Sequence, residues 1–229
     1  MTTITELLQN NPYPGRGLLL GKTPDGKKAV IAYFIMGRSE NSRNRIFKKE
    51  NGILYTYPYD ESKVQDKSLI IYNASRKLAY NVIVSNGDQT DTIYDFLKCG
   101  LEFEDALSTR TYEPDAPNYT PRISGIIRLS PLYYEIAIIK KDGEETKREY
   151  FPLSPANGTG YFISTYVTDG NPLPSFKGAP KEVEVKADME EFARELWEAL
   201  NEENKISLYV EYIDVQSGES KDIIINKNE

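Results

Sequence analysis

At 229 residues and 39% hydrophobic content the chain can bury an ordinary packed core as one large domain or two small ones; one domain over 1–229, with 1–14 as an N-terminal extension, is expected. A net charge of −7 disfavours nonspecific attraction to nucleic acid or to an anionic membrane, so any phosphate site has to be local. The chain has no histidine and one cysteine, which excludes Ser-His and Cys-His nucleophile pairs, histidine zinc sites, internal disulfides and thiolate metal cages, and leaves proton transfer to carboxylates, tyrosines, lysines, the backbone or water.

The first dozen residues predict a short helix, broken by Asn10-Asn11-Pro12-Tyr13-Pro14-Gly15. This start carries no basic region followed by an apolar block, and apolar runs such as 29–36 are strand-sized. A soluble cytoplasmic protein is therefore expected. Strands at 16–21 and 28–36 flank Thr23-Pro24-Asp25-Gly26 as a hairpin. The loop 37–45 follows, with Arg38, Arg43 and Arg45 and only Glu40 as an acid. It reads either as a solvated surface turn or as a phosphate site, because guanidinium forks match phosphate oxygens bidentately. Further strands are expected at 52–59 and 68–73, separated by a charged loop at 60–67.

Within 80–97 the β-branched run Val82-Ile83-Val84 ends in Ser85-Asn86-Gly87, and an apolar-periodic segment follows, which predicts strand, tight turn and helix. Asp88, Thr90 or Asp91 can each cap that helix, and by chemistry alone the turn reads as capped; the free first-turn donors also suit an anion, with the carboxylates competing. The helix should end at Cys99 before Gly100, with Cys99 a small buried apolar residue. A short helix is expected over 101–107. The three prolines of 112–121 exclude regular structure there, which suits a site wall as well as a plain connection.

Strands at 122–129 and 132–141 lead through Asp142-Gly143 into 147–153, and another strand is expected at 161–167. After a Pro/Gly-rich loop at 169–180, Met189, Phe192, Ala193, Leu196, Trp197 and Leu200 fall at helical spacing within 188–201, marking an amphipathic helix laid on a sheet. Strands at 206–213 and 221–225 turn at Ser217-Gly218. About ten mostly hairpin-linked strands and three or four clustered helices define an α+β protein with a largely antiparallel core.

Several motifs together resemble the archaeal-type inosine monophosphate (IMP) cyclohydrolase family. They are Arg38-Ser39 through Arg43, Tyr72-Asn73, Val84-Ser85-Asn86-Gly87 followed by Thr90-Asp91-Thr92-Ile93, Tyr112-Glu113, Thr120-Pro121-Arg122-Ile123, and Ile163-Ser164-Thr165-Tyr166, in fitting order and spacing over 16–166. The resemblance implies a four-layer αββα sandwich like that of the N-terminal nucleophile hydrolases, used without a nucleophile. It also implies ring closure of 5-formamidoimidazole-4-carboxamide ribonucleotide to IMP with loss of water, with no cofactor and no metal. The implied catalytic positions are Arg43, Tyr72 and Glu113, and the implied substrate-binding positions are Arg38, Ser39, Arg45, Asn73, Asn86, Thr90, Asp91, Arg122 and Thr165. The implied partner is a purine nucleotide, with homo-oligomerisation left open.

Each position also has a structural reading. Tyr72 can anchor a core rim, Glu113 can be merely solvated, Arg122 can make a structural ion pair, and Asn73 and Asn86 can serve turn chemistry. The segment Arg38–Arg45 can be registered on the family in two ways, which leaves Arg45 open. Two other functions stand beside ring closure. One is an N-terminal nucleophile amidohydrolase with Thr2 exposed by loss of Met1. The other is a noncatalytic nucleotide-binding relative, since the N-terminal dozen and the C-terminal third carry little of the pattern.

Overall fold

The computed structural model describes residues 1–64 and 71–229. In chain order the elements are α1 (Ile4–Leu8), β1 (Arg16–Lys22), β2 (Lys28–Met36), α2 (Glu40–Arg43), β3 (Arg45–Glu50), β4 (Ile53–Pro58), β5 (Asn73–Leu78), β6 (Asn81–Ser85), α3 (Gln89–Lys98) and α4 (Phe103–Ser108). They continue with β7 (Arg122–Leu129), β8 (Leu132–Asp142), β9 (Glu145–Leu153), β10 (Thr159–Ser164), β11 (Lys181–Glu184), α5 (Met189–Ala199), β12 (Lys205–Asp214) and β13 (Ser220–Asn226). The strands form two antiparallel sheets, ordered β11-β10-β1-β2-β12-β13 and β3-β4-β5-β6-β7-β8-β9. The second follows chain order throughout, with α3 and α4 inserted between β6 and β7.

The central strands read as continuous apolar runs because both of their faces are covered. Along β1 and β2, Leu18, Leu20, Ile31, Tyr33 and Ile35 point into a core shared with the other sheet, while Leu19, Val30, Ala32, Phe34 and Met36 point the opposite way onto a second core. That second core is closed by Ile4 and Leu8 of α1 and by Phe192, Ala193 and Leu196 of α5. Asp188 starts α5 by accepting from the Glu191 amide at 2.8 Å. On the second sheet, Val82 and Ile123 join the shared core, whereas Ile83, Ile126 and Ile139 pack under Ile93 of α3 and Phe103, Ala106 and Leu107 of α4. No helix among the described residues is long and apolar enough to cross a membrane.

One ionic cluster crosses the shared core. Glu211 on β12, fully buried, receives Lys77 Nζ of β5 at 2.7 Å and Lys49 Nζ of β3 at 3.4 Å; Lys49 also reaches Asp222 at 2.7 Å and the Tyr209 hydroxyl at 3.0 Å. Burial works against the Glu211 charge, but Lys77 foremost and then Lys49 outweigh it and hold its pKa below the usual carboxylate range.

The α+β, largely antiparallel expectation matches this architecture, with several corrections. The loop at 37–45 contains α2 and ends in β3, a strand that its polar sequence conceals. The strand expected at 68–73 lies partly outside the described residues, and β5 runs from Asn73 instead. The same holds for 65–67 of the charged loop, while Glu61–Lys63 forms one 3-10 turn. The short β11 lies just past the predicted 169–180 loop, and β10 ends at Ser164 rather than at 167. Cys99 closes α3 ahead of Gly100, as expected, but it is exposed, because the C-terminal turn of α3 projects it beyond the packed face. The native protein should therefore release one equivalent of thionitrobenzoate per chain with Ellman's reagent; a requirement for denaturant would contradict this exposure.

Candidate functional site

The segment between α4 and β7 is held by its own hydrogen bonds. The Glu113 amide donates to Thr120 O at 3.0 Å, and the Thr120 amide donates to the Asp115 carboxylate at 2.6 Å. This closed loop turns the Glu113 side chain inward, where it is 3% exposed. Glu113 forms part of the lining of a cavity of about 280 Å³ together with Tyr13, Arg16, Arg38, Ser39, Ser42, Asp115, Thr120 and Tyr166.

Arg16 enters from the other sheet as the first residue of β1. Its amide donates to Thr165 Oγ1 at 3.1 Å, and its carbonyl accepts from the Thr165 amide at 2.9 Å. The preceding Gly15 has φ 79°, and a Cβ there would lie 2.2 Å from Thr165 Oγ1 and 2.6 Å from the Tyr166 ring. Only glycine lets the chain enter at this angle. The Arg16 guanidinium donates no hydrogen bond among the described residues, and its Nε is fully enclosed. Beside it Arg45, 1% exposed, donates from Nε to Ser42 O at 2.8 Å and keeps an enclosed, uncommitted Nη1. Beneath them the Tyr72 and Tyr33 hydroxyls meet at 2.7 Å, linking the two sheets.

Charge in this cluster is unbalanced. Burial pushes the Glu113 carboxyl up to about 7, against the pull of Arg16, Arg122 and Arg45, with Asp115 adding to the rise. Burial also opposes the charge on Arg16, but Glu113 first, then Tyr72, Tyr166 and Tyr13, outweigh it and raise its proton affinity. Arg45 goes the other way: burial and then Arg16 lower its pKa, and no carboxylate ion pair is present among the described residues to offset them. The site thus joins a carboxyl able to hold or release a proton near neutrality to guanidinium donors not committed to protein acceptors.

At the rim, Arg38 lies 4.9 Å over the Tyr13 ring and pairs with Asp169, donating also to Gly170 O at 3.0 Å. Ser39 caps α2 through the Ser42 amide at 3.1 Å. On the far side of Glu113, Arg122 is 8% exposed and donates from Nε to Thr111 O at 2.9 Å.

Of the residues expected from sequence, Arg38, Ser39 and Glu113 line the cavity; Tyr72, Arg45 and Arg122 adjoin it, and Thr165 fastens Arg16. Arg43 does not join them. It lines a separate depression with Asn44, Tyr59, Asp60 and Lys63, bonded to Gly37 O at 3.0 Å and Asn204 Oδ1 at 3.1 Å. Asn73 and Asp91 pair with each other at 3.0 Å, with Arg76 on the same carboxylate at 2.6 Å. Thr90 meets the Ser85 hydroxyl inside the turn, and Asn86 locks the ends of β6 and β7 by donating to Pro121 O at 2.9 Å and accepting from the Ile123 amide at 2.8 Å. Asp88 precedes α3 but makes no side-chain cap, because its carboxylate is taken by Arg110 and Arg122.

The sequence alone does not single out Arg16, Tyr13 or Tyr33. An arginine opening an otherwise apolar strand, just after Tyr13-Pro14-Gly15, was the available signal for the first two. Nothing distinguished Tyr33 from a packing tyrosine.

Comparison with known proteins gives one consistent result. A family model described as "IMP cyclohydrolase-like protein" matches residues 13–219. The chain is 31% identical over 158 residues to the IMP cyclohydrolase of Methanococcus aeolicus, covering 67% of this chain and 74% of that protein. It is 34% identical over 160 residues to the Methanopyrus kandleri IMP cyclohydrolase, covering 67% and 75%, and 29% identical over 175 residues to that of Methanocaldococcus jannaschii, covering 74% and 82%.

Proposed function

The chain belongs to the IMP cyclohydrolase-like family, and from that premise we propose that its Arg16–Glu113 cavity closes the purine ring of 5-formamidoimidazole-4-carboxamide ribonucleotide to give IMP and water. The carboxamide nitrogen attacks the formyl carbon of the same molecule, forming the new C–N bond. One proton from that nitrogen and the formamido N–H proton leave with the formyl oxygen as water. The observation that carries this reading is Glu113, an enclosed carboxyl with a pKa of about 7 at the floor of an arginine-lined cavity. Near neutrality it accepts the carboxamide proton in one step and delivers it to the departing oxygen in the next.

Arg16 supplies donors to the formyl oxygen as it gains negative charge, with Arg45 adding positive potential behind it. A cavity of about 280 Å³ is at the small end for a ligand pocket, so it takes the base, and the ribose and phosphate run out over the rim. There Arg38 and Ser39 bind the 5′-phosphate, Arg38 exchanging Asp169 for it. Holding the two reacting arms in contact is the main work of such a site, since positioning contributes up to about 7–11 kcal/mol in favourable cases.

We read the two facing sheets, with α1 and α5 on one outer face and α3 and α4 on the other, as an αββα sandwich of the N-terminal nucleophile hydrolase kind. Thr2 is exposed, and its carbonyl accepts from the Glu184 amide at the edge strand β11, which favours ring closure over an amidohydrolase built on Thr2. An ultraviolet ring-closure assay with the open-ring nucleotide, run beside a titration with IMP, tests the function. Conversion together with saturable IMP binding is expected; tight IMP binding without conversion would overturn it.

A further inference from the structure

Asp88 is spent on two arginines instead of on its helix. Its carboxylate receives Arg122 Nη1 at 2.7 Å and also pairs with Arg110. The other acceptor of Arg122 Nη1 is Gln89 Oε1, also at 2.7 Å, so both hydrogens of that nitrogen are committed. Glu113 lies just across Gly87. A Cβ built on Gly87 would be 2.8 Å from Arg122 Nη1 and 3.5 Å from Glu113 Oε1, a close approach that a larger residue would block. Despite this proximity, Arg122 and Glu113 form no ion pair among the described residues.

We propose that Asp88 is a positioning residue that holds Arg122 away from Glu113, leaving that carboxyl free to exchange its proton with the substrate. The proposal rests on the reading of Glu113 as the proton carrier. The charges acting most on Glu113 are Arg16 from β1, Arg122 from β7, Asp115 from its own loop and Arg45 from β3, and Tyr13, Arg38 and Tyr166 line the same cavity. Of those charges, Arg122 is held by an acidic side chain outside the cavity lining. Burial opposes the Asp88 charge, but Arg110 and Arg122 hold its pKa below the usual carboxylate range, so Asp88 stays ionised while Glu113 titrates.

The test is a titration of Glu113 in the full chain by carboxyl carbon NMR, its resonance identified as the one missing from Glu113→Gln, in parallel with the pH dependence of ring closure. Asp88→Ala should lower the Glu113 midpoint by about one pH unit as Arg122 swings across, moving the acid limb of the rate profile with it. Asp88→Asn, which keeps the shape and loses the charge, should move both in the same direction by less. In an Arg122→Met background, Asp88→Ala should leave the midpoint in place, because the effect passes through that guanidinium. An unmoved midpoint in both Asp88 variants, or an equal shift in the Arg122→Met background, overturns the proposal. A moved midpoint with an unmoved rate profile supports the tether and removes Glu113 from the proton transfer, so the two failures are distinguishable.

Discussion

Glu113→Gln is expected to lower ring-closure turnover by about 10²–10⁴-fold, the usual contribution of a positioned acid–base group, with little loss of IMP binding. The amide keeps the size of the carboxyl and its place in the closed loop beside Thr120, so the cavity stays intact while proton exchange is lost. Unchanged turnover would remove Glu113 from the chemistry.

The same variant carries a stability signature of defined sign. The folded-state pKa of Glu113 is raised from 4.5 to about 7, so its contribution to folding is fully present below the unfolded pKa and is lost as pH rises through the folded one. Relative to Glu113→Gln, the parent should lose about 3 kcal/mol of stability between about pH 4 and about pH 8. Urea midpoints for both proteins at those two values read this directly. A difference that is constant with pH would mean that Glu113 ionises in the fold as it does in the unfolded chain. The proposed proton carrier is thus a group that the fold tolerates at a cost, as expected where a function would depend on an unfavourable burial.

The second large effect lies away from the cavity. Glu211→Leu should destabilise the protein by about 1.5–3 kcal/mol, because it removes the charge-assisted hydrogen bonds of both lysines to this carboxylate, Lys49 keeping Asp222 while Lys77 loses its carboxylate partner. Urea unfolding at neutral pH measures the loss. Adding Lys77→Met should recover part of it, since an apolar replacement of both partners removes the uncompensated charge. A double variant as weak as the single one would show that Lys77 is not the partner that matters. Because Glu211 has a depressed folded pKa, its contribution is present above the unfolded pKa and lost as pH falls through the folded one, the opposite dependence to Glu113.

How much of this was legible in sequence follows from what each segment has to bury. The β1–β2 hairpin, β7, β8 and α5 announce themselves because each carries enough apolar surface to define its own period. The segments RIFKKE and NASRKL do not. They become β3 and β5 through pairing with β4 and β6, a tertiary cause that local pattern does not record.

The site divides along the same line. Glu113 and Arg38 sit within recognisable motifs and line the cavity. Arg16 reads as a strand opener, and gains its place only because Thr165 and Glu113 arrive from distant parts of the chain. The two readings of the arginine loop turn on α2: a four-residue helix sends Arg43 toward Asn204 and leaves Arg45 to enter the interior as β3 begins. Asn73, Thr90 and Asp91 belong to strong motifs, and in the fold Asn73 pairs with Asp91 while Thr90 meets the Ser85 hydroxyl.

The Tyr33–Tyr72 contact joins hydroxyls rooted in different sheets, and Arg16 and Glu113 likewise approach from opposite sides of that seam. The alignment of these two proposed site groups is therefore inherited from how one slab of strands sits on the other. A displacement of about 1 Å can cost a hundredfold in rate. Substitutions deep in the seam, remote from any nucleotide, should thus blunt catalysis at temperatures where the protein still melts as a single cooperative body, and thermal inactivation should precede thermal unfolding.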